Sequence, residues 1–196
     1  MPFPFPVGEG RQPDVGVGEP VDRHEHAVLA LDPGGTTGVA AGYFKLRPTR
    51  RETLETMVNL KSGEVKGDWL EQARRLAKIM SMFVFTANVE NEIPLPNIHI
   101  VLEDFVLRRR ESGGATGNLT SCWVAAGAVA IFHTVGMDDE VGGVHAVEWQ
   151  QAGQAKSLAS NDRLKSYGLW IVGSEHKRDA VRHLVLKADK LIQMLT

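Results

Sequence analysis

The chain has 196 residues, 43% of them hydrophobic, enough for one domain with a real core. Its formal net charge of −2 excludes a bulk-cationic nucleic-acid binder, so a polyanion partner would have to meet local basic patches. A single cysteine, Cys122, excludes an intrachain disulfide and a thiolate zinc site, and no stretch reaches the roughly 18 apolar residues of a membrane span.

Residues 1–25 carry Pro2, Pro4, Pro6, Pro13 and Pro20 with few large hydrophobes, the composition of a flexible arm that cannot offset its own ordering entropy. The folded domain is expected over 26–196. Ala27-Val28-Leu29-Ala30-Leu31 is a continuous apolar run that stops at Asp32, a buried-strand pattern followed by a Pro33-Gly34-Gly35 turn. Val39 to Phe44 reads as a returning strand and Leu54 to Leu60 as a third, giving a local meander. Asp68 to Ala87 reads as a helix. Asp68 and Glu71 have capping-box spacing, and Trp69, Ala73, Leu76, Ala77, Met80, Phe83 and Val84 form one stripe.

Asn91 to Asn97, with two prolines, is a loop. Ile98 to Leu102 is a second buried strand, ending at Glu103 and Asp104. Gly113, Gly114 and Gly117 mark a loop. Leu119 to Val135 is a helix that is apolar nearly all round, which implies burial on more than one side. Val144 to Trp149 is a further strand, Lys156 to Tyr167 a short connector, and Glu175 to Met194 the last helix. The order predicts an α/β fold, a mixed sheet with helices on its faces.

Two buried strands thus end in carboxylates, Asp32 and Glu103. In open α/β sheets, ligands bind beyond the carboxyl ends of the strands. If the two strands are neighbours the acids share one cleft, and both ionise only with a cation between them. Oxygen donors favour Mg²⁺ or Mn²⁺. Asp32 before Pro-Gly is equally ordinary turn chemistry; Glu103 has no capping duty to explain it, and Asp104 points to the other face. His176 and Asp179 share a face near the start of the last helix, where an acid also suits the helix dipole. The apolar stripe of that helix (Val181, Leu184, Val185, Ala188, Leu191, Ile192, Leu195) points away from His176, Asp179 and His183. That second face meets either solvent or a metal cleft, and periodicity does not choose between them. Three basic clusters are candidate phosphate contacts: Arg47, Arg50 and Arg51; Arg108, Arg109 and Arg110; and Lys177, Arg178, Arg182, Lys187 and Lys190.

Leu29 to Ala40, with Asp32-Pro33-Gly34, resembles the opening strand and turn of RuvC-type Holliday-junction resolvases of the RNase H-like superfamily. Ile100-Val101-Leu102-Glu103 followed by Phe105 resembles their second acidic strand, and Asn118 to Phe132 the helix after it. Val147-Glu148-Trp149 and then Lys156 is similar to the later strand and its DNA-facing lysine, and His176-Lys177-Arg178-Asp179-Ala180 to the closing acidic motif. The order matches from His26 to the end. The proline often found before the lysine is replaced by Gln151-Ala152-Gly153, which leaves Lys165 as an alternative to Lys156.

The resemblance implies an RNase H-like five-stranded mixed sheet. It also implies a structure-selective DNA endonuclease of recombination and repair, acting on four-way or branched DNA in the cytoplasm of a bacterial cell or phage-infected host. Two Mg²⁺ (or Mn²⁺) ions would be held by Asp32, Glu103, His176 and Asp179, for phosphodiester hydrolysis. Arg108, Arg109, Arg110, Lys156, Lys177 and Arg178 would contact DNA, and a homodimer would form with the Leu119 to Val135 helix at its seam. Related substrates, RNA–DNA hybrids or flaps, and a catalytically silent DNA-binding module are the neighbouring readings. Asp32 to Gly38 also resembles the first phosphate loop of actin-like and sugar-kinase ATPases. The second phosphate loop and the adenosine loop of those proteins are missing from this sequence.

Overall fold

In a computed structural model, residues 25–104, 119–136 and 147–194 are described. Residues 1–24 of the expected arm, the arginine triplet with its glycine loop, and residues 144–146 of the expected Val144 to Trp149 strand lie outside them, while Glu25, expected in the arm, opens the first strand. β1 (Glu25–Asp32) pairs antiparallel with β2 (Thr37–Lys45), and β2 with β3 (Val58–Val65). β4 (Ile98–Asp104) lies parallel to β1, and β5 (Val147–Gln151) parallel to β4. The strand order is β3-β2-β1-β4-β5.

Six α-helices are described: α1 (Arg50–Glu55), α2 (Trp69–Phe85), α3 (Leu119–Gly136), α4 (Ala152–Leu158), α5 (Asn161–Ser166) and α6 (Glu175–Gln193). The third strand starts later than the sequence predicts. Leu54 closes a short helix instead, because Thr49 and Glu52 form a reciprocal capping box that starts α1.

Alternation along the strands sorts the core into two layers. Leu29, Leu31, Ile100 and Leu102 face α2 and α3, where they meet Leu76, Met80, Phe83 and Val124. Val28, Ala30 and Val101 face α6 and pack on Val181, Leu184 and Val185. The expected α2 stripe is buried except Trp69, which is exposed.

Helix α3 departs from the expectation of burial on several sides. It packs on α2 through Val124, Ala125 and Ala128, while Leu119 and Trp123 stay exposed, Trp123 at 57%. An apolar composition without a polar stripe leaves that outer side greasy rather than buried.

Candidate active site

The same alternation carries Asp32 and Glu103 onto the α6 face, in phase with Val28, Ala30 and Val101. β1 and β4 are parallel neighbours, with Leu31 opposite Leu102, so the two acids emerge side by side one residue further on. Gln150 of β5 is opposite Glu103, and Gly38 of β2 is opposite Asp32. A row of Gly38, Asp32, Glu103 and Gln150 therefore crosses four strands under the first half of α6.

Gly38 admits the helix. A Cβ at this position would stand 2.0 Å from the His176 carbonyl oxygen, so only glycine allows the start of α6 to approach β2 this closely. Behind the turn, Gln72 is fully buried on α2. It donates to the carbonyls of Gly35 (3.2 Å) and Gly67 (3.0 Å) and accepts from the Thr37 hydroxyl (2.7 Å). The Asp32 turn is thus tied to the helix beneath it.

Helix α6 is capped by Ser174, whose side chain accepts from the Lys177 amide, so Asp179 has no capping role. Most of its second face meets the sheet: Asp179 and His183 are buried, as is Arg182, while the side chain of His176 is 46% exposed. His176 Nδ1 lies 3.0 Å from Asp32 Oδ2, and His183 Nε2 lies 3.2 Å from Glu103 Oε2. Asp179 is ion-paired with Arg182, and Lys156 Nζ lies 3.1 Å from its other oxygen. Arg182 also donates to the carbonyl of Ala159 and to the side chain of Asn161.

The electrostatics of the row are unequal. Asp32 is 5% exposed, and its pKa is pushed up to about 9 by burial, then by the charge and hydrogen bond of Glu103 and the charge of Asp179. For Glu103, burial pushes upward, but hydrogen bonds from His183 and Asp32 outweigh it and hold the carboxyl below its usual range. Asp32 thus carries the proton of the pair and Glu103 the charge. Lys156 is held above its usual range: burial opposes this, and Asp179 and Glu175 more than offset it.

All four sequence-predicted acid and histidine candidates, Asp32, Glu103, His176 and Asp179, lie at this end of the sheet. Two contacting pairs form: Asp32 with Glu103, and Asp32 with His176. Asp179 is turned to Arg182 and Lys156. Among the described residues, no group of three or more His, Cys, Asp or Glu side chains is arranged to hold a metal ion as it stands. The Asp32–Glu103 pair nonetheless fits a hard cation: two adjoining carboxylates, one buried and one partly buried, that must otherwise keep a proton are the donor set such an ion relieves.

Of the basic candidates, Arg108, Arg109 and Arg110 lie outside the described residues. Arg50 pairs with Asp189, Arg51 with Glu55, and Lys187 and Lys190 with Glu148, so those members are spent on internal pairs. Arg178 instead lies over the Trp170 ring, 5.1 Å from its centroid, beside Lys165 at 5.0 Å. Sequence reasoning missed Gln150 and Gln72, although spacing from Glu103 was an available signal for Gln150; it placed His183 on the face left open between solvent and a cleft, and counted Arg182 as a phosphate contact, whereas Arg182 is buried against Asp179.

Among solved structures, one described as T. thermophilus RuvC in complex with Holliday junction substrate is similar to this chain at 12% identity. The match covers 85% of this chain and 96% of that one, with a TM-score of 0.50. The fold is RNase H-like. A second structure, described as Thermus thermophilus RuvC, is 13% identical over the same shares of the two chains, with a TM-score of 0.47. No known family profile and no curated protein sequence matches the chain. Among the described residues, no helix is long and apolar enough to cross a membrane.

Proposed function

We propose that the chain is a metal-dependent endonuclease that hydrolyses phosphodiesters of branched DNA, four-way junctions foremost. The observation that supports this most is the Asp32–Glu103 pair, a buried and a partly buried strand-end carboxylate of which one must keep a proton unless a cation replaces it. The likeness in fold to a RuvC solved with a Holliday junction supports the choice of substrate.

Asp32 and Glu103, with His176 and Asp179 beside them, would hold two Mg²⁺ or Mn²⁺ ions. When bound, such ions activate a water nucleophile and neutralise charge at the leaving oxygen. The chain's own residues do the rest. Asp32, whose carboxyl is held well above its usual range, would release its proton to solvent on binding a cation, and Glu103, held below its usual range, would offer the charged oxygens. Asp179 would offer its Oδ2 once Lys156, 49% exposed, turned away from it, with Arg182 still holding Oδ1, and the freed ammonium would be available to a phosphate. Lys165 and Arg178, pressed on Trp170, extend this positive edge beside the first turn of α6, together with Lys177. Neither Lys165 nor Arg178 is paired with a carboxylate among the described residues. The arginine triplet at Arg108, Arg109 and Arg110 is a further phosphate contact in this reading.

Two sites are needed to nick matched strands of a junction, which requires a symmetric dimer. The outer side of α3, where Trp123 packs on Trp69 with both rings exposed, is the surface for it. A Trp123→Glu chain is expected to sediment as a monomer and to lose paired nicking. Unchanged sedimentation of a wild-type dimer would move the seam elsewhere.

The deciding experiment compares cleavage of a four-way junction, duplex, flap and RNA–DNA hybrid, each with and without Mg²⁺ or Mn²⁺. Metal-dependent cleavage greatest on the junction is expected. Preference for the hybrid or flap would keep the chemistry and change the substrate, and cleavage surviving in Asp32→Asn would overturn both.

A further inference from the structure

Glu103 is held from behind by a residue that plays no part in the chemistry above. His183 lies two turns along α6 from His176 and is 1% exposed. Its Nε2 faces Glu103 at 3.2 Å, and its Nδ1 stands 3.1 Å from Gln150 Oε1. Gln150 is itself 1% exposed and is the cross-strand partner of Glu103 on β5. The histidine therefore bridges two neighbouring strands at the level of the acids.

The hydrogen bonds beyond it give the bridge a direction. Gln150 Nε2 donates to Glu148 Oε1 at 3.3 Å, which turns the amide oxygen toward His183. That oxygen can only accept, so His183 donates to it from Nδ1, which turns Nε2 toward the Glu103 carboxylate. At the far end, Glu148 is fixed by Lys187 and Lys190, each at 2.7 Å, both from α6. The chain of contacts leaves α6, crosses β5 and returns to α6, so helix and strands are cross-braced around Glu103.

We propose that His183 is a positioning residue for the metal site: with Gln150 it fixes the Glu103 carboxylate against Asp32, so that the pair accepts a divalent cation without rearranging. This rests on the metal-dependent reading given above. Groups that orient a ligand from behind typically change metal affinity or activity by about 10–100-fold when removed.

The test is Mn²⁺ binding to the full chain by calorimetry, beside thermal melts and junction-cleavage kinetics. His183→Ala is expected to weaken Mn²⁺ binding by about 10–100-fold, and to lower kcat with KM for the junction unchanged. His183→Gln, whose amide nitrogen can reach Glu103, recovers most of the affinity. Gln150→Leu, which removes the acceptor that orients His183 and leaves the His183–Glu103 contact in place, gives a smaller loss in the same direction. Leu184→Ala, a neighbouring core truncation on α6, lowers Tm and leaves the Mn²⁺ Kd alone, which separates positioning from stability. If His183→Ala does not fold, the Gln variant and Gln150→Leu carry the comparison.

Wild-type Mn²⁺ affinity in folded His183→Ala, or in Gln150→Leu together with no difference for His183→Gln, overturns the positioning role alone. A wild-type chain that takes up no Mn²⁺ overturns the metal reading itself, and the relay's purpose with it.

Discussion

The two faces of the central sheet come from the same alternating strands and are filled in opposite ways. Toward α2 and α3 the contacts are between Leu29, Leu31, Ile100, Leu102, Met80 and Phe83, with Thr37 and Gln72 as a buried polar pair beside the Asp32 turn. Toward α6 the sheet also buries Asp32, Gln150, Asp179, Arg182, His183 and Asp189. Burying polar groups costs free energy unless each finds a partner, and on this side each does. The comparison separates two tasks. One face supplies hydrophobic stabilisation and tolerates no charge. The other spends part of that stability to hold acids close together.

The largest effect expected from breaking the polar face is on activity. Asp32→Asn removes one of the two carboxylates that call for a cation, and metal-dependent junction cleavage should fall to background while the melt of the metal-free chain is not lowered. The apolar face should respond in the reverse sense. Phe83→Ala, truncating a fully buried ring, is expected to cost about 3–5 kcal/mol in denaturant unfolding, with Mn²⁺ affinity of the folded fraction unchanged. A large change in that affinity would show that the two faces are not separable.

A third test uses pH. Asp32 keeps its proton to about 9 in the folded chain, against 3.8 as its ordinary value, so between those values the folded state binds the extra proton. Its contribution is present at low pH and lost as pH rises toward 9, so the metal-free melt should fall over this range and Mg²⁺ should restore it. Asp32→Asn should flatten the slope.

Glu148 behaves oppositely. Burial pushes it up, but hydrogen bonds from Lys187 and Lys190 outweigh this and bring it down to about 2 from 4.5. Its stabilisation is present above 4.5 and lost as pH falls toward 2. A melt that rises monotonically with pH from 4 to 9 would contradict the Asp32 assignment.

The smallest effect expected is electrostatic. Log–log salt plots of junction binding should lose about 0.9 from their slope for each phosphate contact removed in Lys165→Ala and Arg178→Ala. Arg51→Ala, whose guanidinium is engaged by Glu55, should leave the slope unchanged.

What the sequence reveals of this arrangement follows from the kind of signal each residue sends. Asp32 and Glu103 are legible because each interrupts an apolar run, and the parallel pairing of their strands was the only structural condition left open. The α2 stripe is legible because its apolar residues recur at helical spacing. Gln150 is not, and the roles of His183 and Arg182 stay open, because a pattern that divides residues into apolar and polar does not say whether a polar face meets solvent or the sheet. Here α6 is buried on its polar side as well, under charges that neutralise one another. Helix α1 was missed for a different reason: six residues with a single leucine carry no periodicity, although Thr49 and Glu52 announce its start.

Gly38 contributes no functional group, yet the site depends on it. The line from β2 to α6 is as short as it is only because a hydrogen stands where a methyl would meet the His176 backbone at 2.0 Å. A screen for lost chemistry would pass over this position, yet an alanine here would displace the start of α6, and with it His176 and Asp179 together. Any attempt to transplant these acids onto another sheet would therefore have to copy a vacancy along with the side chains.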